Sequence, residues 1–173
     1  MLEEIIKQKY MIEKTLVLIK PDGVKRGLMG RILSRFEDAG MKVVAMKLRQ
    51  SDEAHALKHY TEDIEKRRGK KVREFLVDFL KSGPVLAIVI EGVNAIENVR
   101  KMVGATEPKA SAPGTIRGDF SHVSYSHADE KNKVVENLIH ASADAADAER
   151  EVWLWFNEDE VCEYKTVHEA HTL

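Results

Sequence analysis

Two stretches of this chain are apolar almost without interruption: Thr15-Leu16-Val17-Leu18-Ile19 and Val85-Leu86-Ala87-Ile88-Val89-Ile90. Each is short, rich in β-branched residues and bounded by turn signals, Lys20-Pro21-Asp22-Gly23 after the first and Ser82-Gly83-Pro84 before the second. A strand with one face in water alternates polar and apolar residues; a continuous apolar run marks a strand covered on both faces. The chain therefore builds around a sheet. Met41 to Leu48 supplies a further strand, and Asn137-Leu138-Ile139-His140-Ala141-Ser142 a short last one.

Helical periodicity fills the spaces between. Ile32, Leu33 and Phe36 place a helix over Gly27 to Ala39, with Gly40 at its C-cap. Ser51 caps a helix to about Tyr60, and the basic run Lys66-Arg67-Arg68-Gly69-Lys70-Lys71 separates it from a helix carrying Val72, Phe75, Leu76, Phe79 and Leu80. Those five positions follow the i, i+3, i+4, i+7, i+8 pattern of a half-buried helix. Asn94 and Glu97 have capping-box spacing and open a helix through Val103. From Gly104 to about Glu136 periodicity lapses, and Pro108, Pro113, Gly114 and Gly118 punctuate a long loop of the kind that tends to be functional or disordered. An acidic helix from Asp144 to Phe156 and an irregular tail to Leu173 complete the chain. The order reduces to βαββαβ, an α+β, ferredoxin-like antiparallel sheet with a helical hairpin inserted after the second strand and a long loop before the last. The helices are expected mainly on one face. Residues 1–10 read as an appended amphipathic turn or helix ahead of one domain over residues 11–173.

Bulk properties exclude several functions. A net charge of −2 supplies no field for nucleic acid or a membrane surface, and no apolar run approaches the roughly 20 residues that span a bilayer. One cysteine, Cys162, rules out an internal disulfide and fits a reducing, cytoplasmic setting. The basic run at residues 66–71 has no interleaved aromatics and reads as a solvated turn between helices.

The chemistry-bearing residues lie where elements end. Lys20 follows the first strand, Arg100 sits near the end of the helix after the third, Thr106 and Arg117 fall in the long loop, and His140 closes the last strand. Each has a plain reading as a surface, helix-end or packing residue. Together they supply three cations, a hydroxyl and a nucleophile, enough to neutralise a di- or triphosphate. There is no G-x-x-x-x-G-K-[ST] loop and no kinase-type glycine-rich loop. Phosphate transfer here would fall to the histidine.

The blocks Thr15-Leu-Val-Leu-Ile-Lys20-Pro-Asp-Gly-Val24, Arg26-Gly27, His59-Tyr60, Ser82-Gly-Pro84, Pro113-Gly-Thr-Ile-Arg117-Gly-Asp-Phe120 and Asn137-Leu-Ile-His140-Ala-Ser142 resemble, in order and spacing, the nucleoside diphosphate kinase family. The resemblance covers about Met11 to Phe156. It implies a ping-pong enzyme in which a nucleoside triphosphate, mainly ATP, phosphorylates His140 and a diphosphate takes the phosphate back. It implies that Glu151 orients the imidazole and Ser142 supports that pair. Lys20 and Asn137 would reach the ribose hydroxyls, with Lys20 also at the transferred phosphoryl. Arg100, Thr106 and Arg117 would grip the phosphates, and Tyr60 would line the site. Mg²⁺ would bridge the phosphates largely through water. The family that the chain resembles forms symmetric oligomers, most often hexamers built from dimers.

Four departures accompany the resemblance. Where the family stacks the base on phenylalanine this chain has Val72, which on its own pattern is equally a core position. The residue after the histidine is Ala141 rather than glycine. The linker at Glu65 to Lys71 and the segment Ser121 to Glu136 are longer than expected, and the latter carries His122 and His127 at no common metal-ligand spacing. Lacking polar groups to read the base edge, the site should discriminate weakly among bases. A non-catalytic nucleotide- or RNA-binding module would favour aromatics on its strands, and these strands are aliphatic.

Overall fold

The computed structural model describes residues 12–167 and 169–172; the expected extension at residues 1–10 lies outside them. Four strands, β1 (Ile12–Ile19), β2 (Lys42–Arg49), β3 (Val85–Val93) and β4 (Ile139–Ala141), form one sheet in the order β2-β3-β1-β4. Every pairing is antiparallel, with Leu16 opposite Val89 on one side and Leu18 opposite His140 on the other. This is the ferredoxin-like α+β arrangement. β2 bulges between Val43 and Ala45, which lets Val44 and Ala45 face the same core.

Helices cover both faces of the sheet, not mainly one. On one face Leu16, Leu18, Ala87 and Val89 pack against α3 (Glu53–His59), α5 (Lys70–Lys81) and α9 (Ala145–Trp155), through Ala56, Val77, Leu80, Val152 and Trp155. On the other, Val17, Ile19, Ile88 and Ile90 meet α2 (Met29–Asp38), α6 (Ala95–Val103) and α7 (Ile116–Phe120), through Ile32, Phe36, Val99, Val103 and Ile116. Burying one such aliphatic side chain stabilises by roughly 1.5–3 kcal/mol. A continuous run such as Leu16 to Ile19, fully buried throughout, gains that only if neither face is left to water.

Local differences from the sequence reading have identifiable causes. Lys20-Pro21-Asp22-Gly23 is no simple turn: Pro21–Lys25 forms a one-turn helix, α1, with proline at its tolerant first position. α2 accordingly begins at Met29, not Gly27. It ends as expected: Gly40 has φ +76°, its N–H donates to Glu37 O, and the N–H of Met41 donates to Phe36 O. Asp52, not Ser51, caps α3, its Oδ1 accepting from the N–H of His55 at 2.7 Å. The basic run is mostly helical: Lys66 to Arg68 end an unforeseen helix, α4 (Glu62–Arg68), and Gly69 at φ +90° breaks it from α5. Asn94 is left-handed and makes no side-chain cap; the Glu13 carboxylate accepts from the N–H of Ile96 instead. The long loop holds a 3₁₀ turn (Pro108–Ala110), α7 and α8 (Tyr125–Glu130). The tail holds a second 3₁₀ turn (Glu158–Glu160) and α10 (Glu169–Thr172).

Candidate active site

On a regular strand residues i and i+3 point to opposite faces, so Asn137 and His140 would not share a site. The backbone resolves this at Leu138. Its φ is +69°, and the N–H of Ile139 donates back to Asn137 O at 2.8 Å, a γ-turn in its strained positive-φ form. The Leu138 side chain is fully buried in the apolar cluster under α2 and α6. Asn137 and His140 both open onto one cleft. Beyond the kink the strand alternates normally, and the side chains of His140 and Ser142 converge on Glu151 from α9.

That convergence fixes the state of the imidazole. His140 Nε2 lies 2.8 Å from Glu151 Oε2, and Ser142 Oγ donates to the same oxygen at 2.7 Å. Burial pushes the Glu151 carboxyl up, but the charge and hydrogen bond of His140, with the Ser142 hydroxyl, hold it at about 2. A carboxylate can only accept, so Nε2 carries a proton, and in the neutral imidazole Nδ1 keeps the free lone pair. Ala141 is compatible with this geometry, because it pairs with Val17 in β4 and has no positive φ.

The cationic residues divide into two kinds. Lys20 is buried, and its Nζ donates to Asn137 Oδ1 at 2.8 Å; the Asn137 amide in turn donates to Thr106 O at 2.7 Å. Burial, with Arg117 nearby, lowers the ammonium to about 8 against a raising contribution from Asp22. Arg117 is buried too. Its Nε donates to Asn137 O (3.1 Å), Nη1 to Gly104 O and Ala105 O (3.0 Å each) and Nη2 to Ile139 O (2.6 Å). Four of its donors thus brace backbone on both sides of the kink, and one N–H remains for a ligand. Arg100, by contrast, is exposed on α6 and, among the described residues, pairs with no carboxylate. Thr106 is exposed at the rim. The Tyr60 hydroxyl is buried without a partner, and burial pushes its pKa upward.

Lys20, Tyr60, Val72, Arg100, Thr106, Arg117, Asn137, His140 and Glu151 all line one cleft of about 950 Å³. Ser142 alone of the expected set lies behind it, fully buried. Val72 is half-buried on the cleft wall with Phe75 and Leu76. The opposite wall comes from the segment 121–136, whose Asn132 accepts from Lys71 Nζ at 2.8 Å across the opening. His122 and His127 are exposed there and belong to no metal-ligating group among the described residues.

Two residues were given no role in the sequence reading. His59 is buried, its ring centroid 4.7 Å from that of His140, and Trp155 Nε1 donates to its Nδ1 at 3.3 Å. Burial keeps it neutral, well below the ordinary histidine range. One donor atom each from His59, His140 and Glu151 lies within 4.8 Å of the others, but the 2.8 Å His140–Glu151 contact is a hydrogen bond that a cation would have to break. The other is Asp22, whose Oδ2 accepts from the N–H of Leu138 at 2.9 Å. No local signal in Lys20-Pro21-Asp22-Gly23 announces a contact 116 residues away.

Fold and site together define a class: a ferredoxin-like domain presenting a carboxylate-oriented histidine to a cleft lined with cations. Comparison with known proteins narrows it. The profile described as nucleoside diphosphate kinase matches residues 13–161. A nucleoside diphosphate kinase of Borreliella burgdorferi is 50% identical over 156 residues, covering 90% of this chain and 93% of the relative. A solved Borrelia burgdorferi structure, a transition-state mimic with vanadate and ADP, superposes at TM-score 0.91 with 49% identity, covering 93% of this chain and 96% of that one. A Halobacterium salinarum enzyme in complex with CDP superposes at 0.81 with 39% identity, covering 94% and 99%. The chain belongs to the nucleoside diphosphate kinase family, and is a nucleotide-binding phosphotransferase.

Proposed function

We propose that the protein moves the γ-phosphate of a nucleoside triphosphate, mainly ATP, to a nucleoside diphosphate in two half-reactions through a phosphohistidine at His140. The observation that carries this reading is the Glu151–Nε2 contact of 2.8 Å, which leaves the Nδ1 lone pair free. In the first half-reaction Nδ1 bonds to the γ-phosphorus, the bond from that phosphorus to the β,γ-bridging oxygen breaks, and the diphosphate leaves with the electron pair. Glu151 stabilises the positive charge gathering on the imidazole, and Ser142 holds the carboxylate in place. The second half-reaction is the reverse with another diphosphate. Lys20, Arg100 and the free N–H of Arg117 face the negative oxygens, so catalysis is mostly positioning and charge neutralisation. Asn137 and Lys20 take the sugar hydroxyls, and Thr106 and Tyr60 border the phosphates.

Mg²⁺ fits this arrangement as a companion of the nucleotide. Glu151 is occupied by His140 and Ser142, and Asp147 on the cleft wall is paired with Arg150 at 2.8 Å. Among the described residues no oxygen-donor cage exists, so phosphate oxygens and water would hold the ion. When bound it offsets phosphate charge. The base meets Val72 and its apolar neighbours, which fill space without reading base edges. That supports low selectivity, in keeping with relatives solved with ADP and with CDP.

The protein is expected to act as a homo-oligomer, a hexamer foremost, in the cytoplasm and without nucleic acid. Edge strand β2 leaves Met46 and Leu48 more than half exposed, which supports association. No helix among the described residues is long and apolar enough to cross a membrane. Incubation with γ-labelled ATP should give acid-labile, base-stable protein phosphate that His140→Ala abolishes. Labelling that persists in that variant would overturn the assignment of the nucleophile.

A further inference from the structure

Leu138 is an unusual residue to find with a positive φ. A γ-branched side chain is disfavoured there, and such strain persists only where the surroundings over-determine it. The surroundings here are explicit. The carbonyls of Asn137 and Ile139 are held by Arg117, and the carbonyl of Leu138 accepts from the N–H of Lys20 at 2.8 Å. The Leu138 N–H is held by Asp22 Oδ2 at 2.9 Å. Asp22 is buried, and its Oδ1 has no partner. The fit is close: a Cβ on Gly23 would stand 3.0 Å from the Leu138 carbonyl oxygen and 2.7 Å from Ile19 Cγ2. A buried carboxylate with one oxygen unpartnered is a costly group to keep for a turn alone. Among the described residues, the hydrogen bond that carries Asp22 beyond its own helix is the one to the kink.

We infer that Asp22 is a positioning residue, whose carboxylate clamps the strained γ-turn at Leu138 and thereby turns Asn137 and His140 into the same cleft. Asp22 does not touch the nucleotide; it acts through the backbone of Leu138. Without the clamp the segment relaxes toward a regular strand, in which Asn137 and His140 diverge by the two-residue periodicity. This rests on His140 being the phosphorylated residue.

The test is the single-turnover rate of His140 phosphorylation from γ-labelled ATP, measured on folded protein well below its melting temperature. Asp22→Ala should slow it about 10- to 100-fold, the scale of loss from misplacing a reacting group by an ångström. Asp22→Asn, whose amide oxygen still accepts from Leu138, should stay within about threefold of the parent. Leu80→Ala, a cavity in the opposite core, should lower the melting temperature yet keep the rate. Should Asp22→Ala not fold, Asp22→Glu serves: its extra methylene displaces the turn, and a slowing of about tenfold is expected. A parent rate in Asp22→Ala or Asp22→Glu, equal slowing in Asp22→Asn, or equal slowing in Leu80→Ala would each overturn the inference. An unlabelled parent protein would instead overturn the phosphohistidine reading itself.

Discussion

The two ends of the cleft are built differently. At the end proposed to hold the phosphates every assigned group except Arg100 and Thr106 is buried or tied: Lys20 to Asn137, Asn137 to Thr106 O, Arg117 to four carbonyls, His140 and Ser142 to Glu151. At the end proposed to hold the base, half-buried apolar residues of α5 face the 121–136 segment, and Lys71–Asn132 is an exposed hydrogen bond between the two walls. Reacting atoms must be placed to a fraction of an ångström, and a network of satisfied buried polar groups does that. A base that need only be enclosed can be met by loosely held apolar surface. Rigidity is concentrated around the proposed nucleophile.

The sharpest way to break this contrast is Glu151→Gln. It keeps the shape and loses the charge that stabilises the imidazolium, so kcat for phosphate transfer should fall by about 10²-fold in steady-state assays. A loss under about threefold would mean that the tied end is not where catalysis resides.

The next effect is a pH dependence. The folded, ligand-free value for Lys20 is about 8, against 10.5 for an ordinary lysine. Its charged form is therefore disfavoured in the fold: Lys20 detracts from stability below about 8, and the penalty fades as pH rises from about 8 to 10.5. A bound polyphosphate favours the charged form. Diphosphate affinity should fall by up to about tenfold per pH unit above 8, with uptake of close to one proton on binding near pH 9. Titration calorimetry in two buffers of different ionisation heat reads that proton directly; none taken up would refute the reading of Lys20.

The smallest effect belongs to the permissive end. Val72→Phe should lower the nucleotide KM a few-fold, as an aromatic stack adds about 1 kcal/mol, while leaving kcat nearly unchanged. An unaltered KM would place the base elsewhere in the cleft.

Much of this was legible in advance because it depends on local chemistry. The apolar runs at Thr15–Ile19 and Val85–Ile90 announce buried strands, and the stripe from Val72 to Leu80 announces its helix. Turn composition was less informative: Pro21-Asp22-Gly23 became helix, and Asp52 displaced Ser51 as a cap, since several nearby residues can satisfy the same backbone donors. The covering of both sheet faces was implicit in the continuous strands, yet helix count and sequence order did not reveal which helix goes to which face.

The sequence by itself determined the strands, the fold they form and the residue types in the cleft, because burial and periodicity are properties of neighbours in the chain. Only the tertiary structure decided how those residues act. Arg117 is a brace as well as a cation of the cleft because four carbonyls from two segments meet its guanidinium. Asn137 and His140 share a cleft because a turn 116 residues away holds Leu138 where an isolated strand would not stay. The physical reason is the same in both cases. Strain and buried polarity are tolerated only when distant parts of the chain arrive together to offset them.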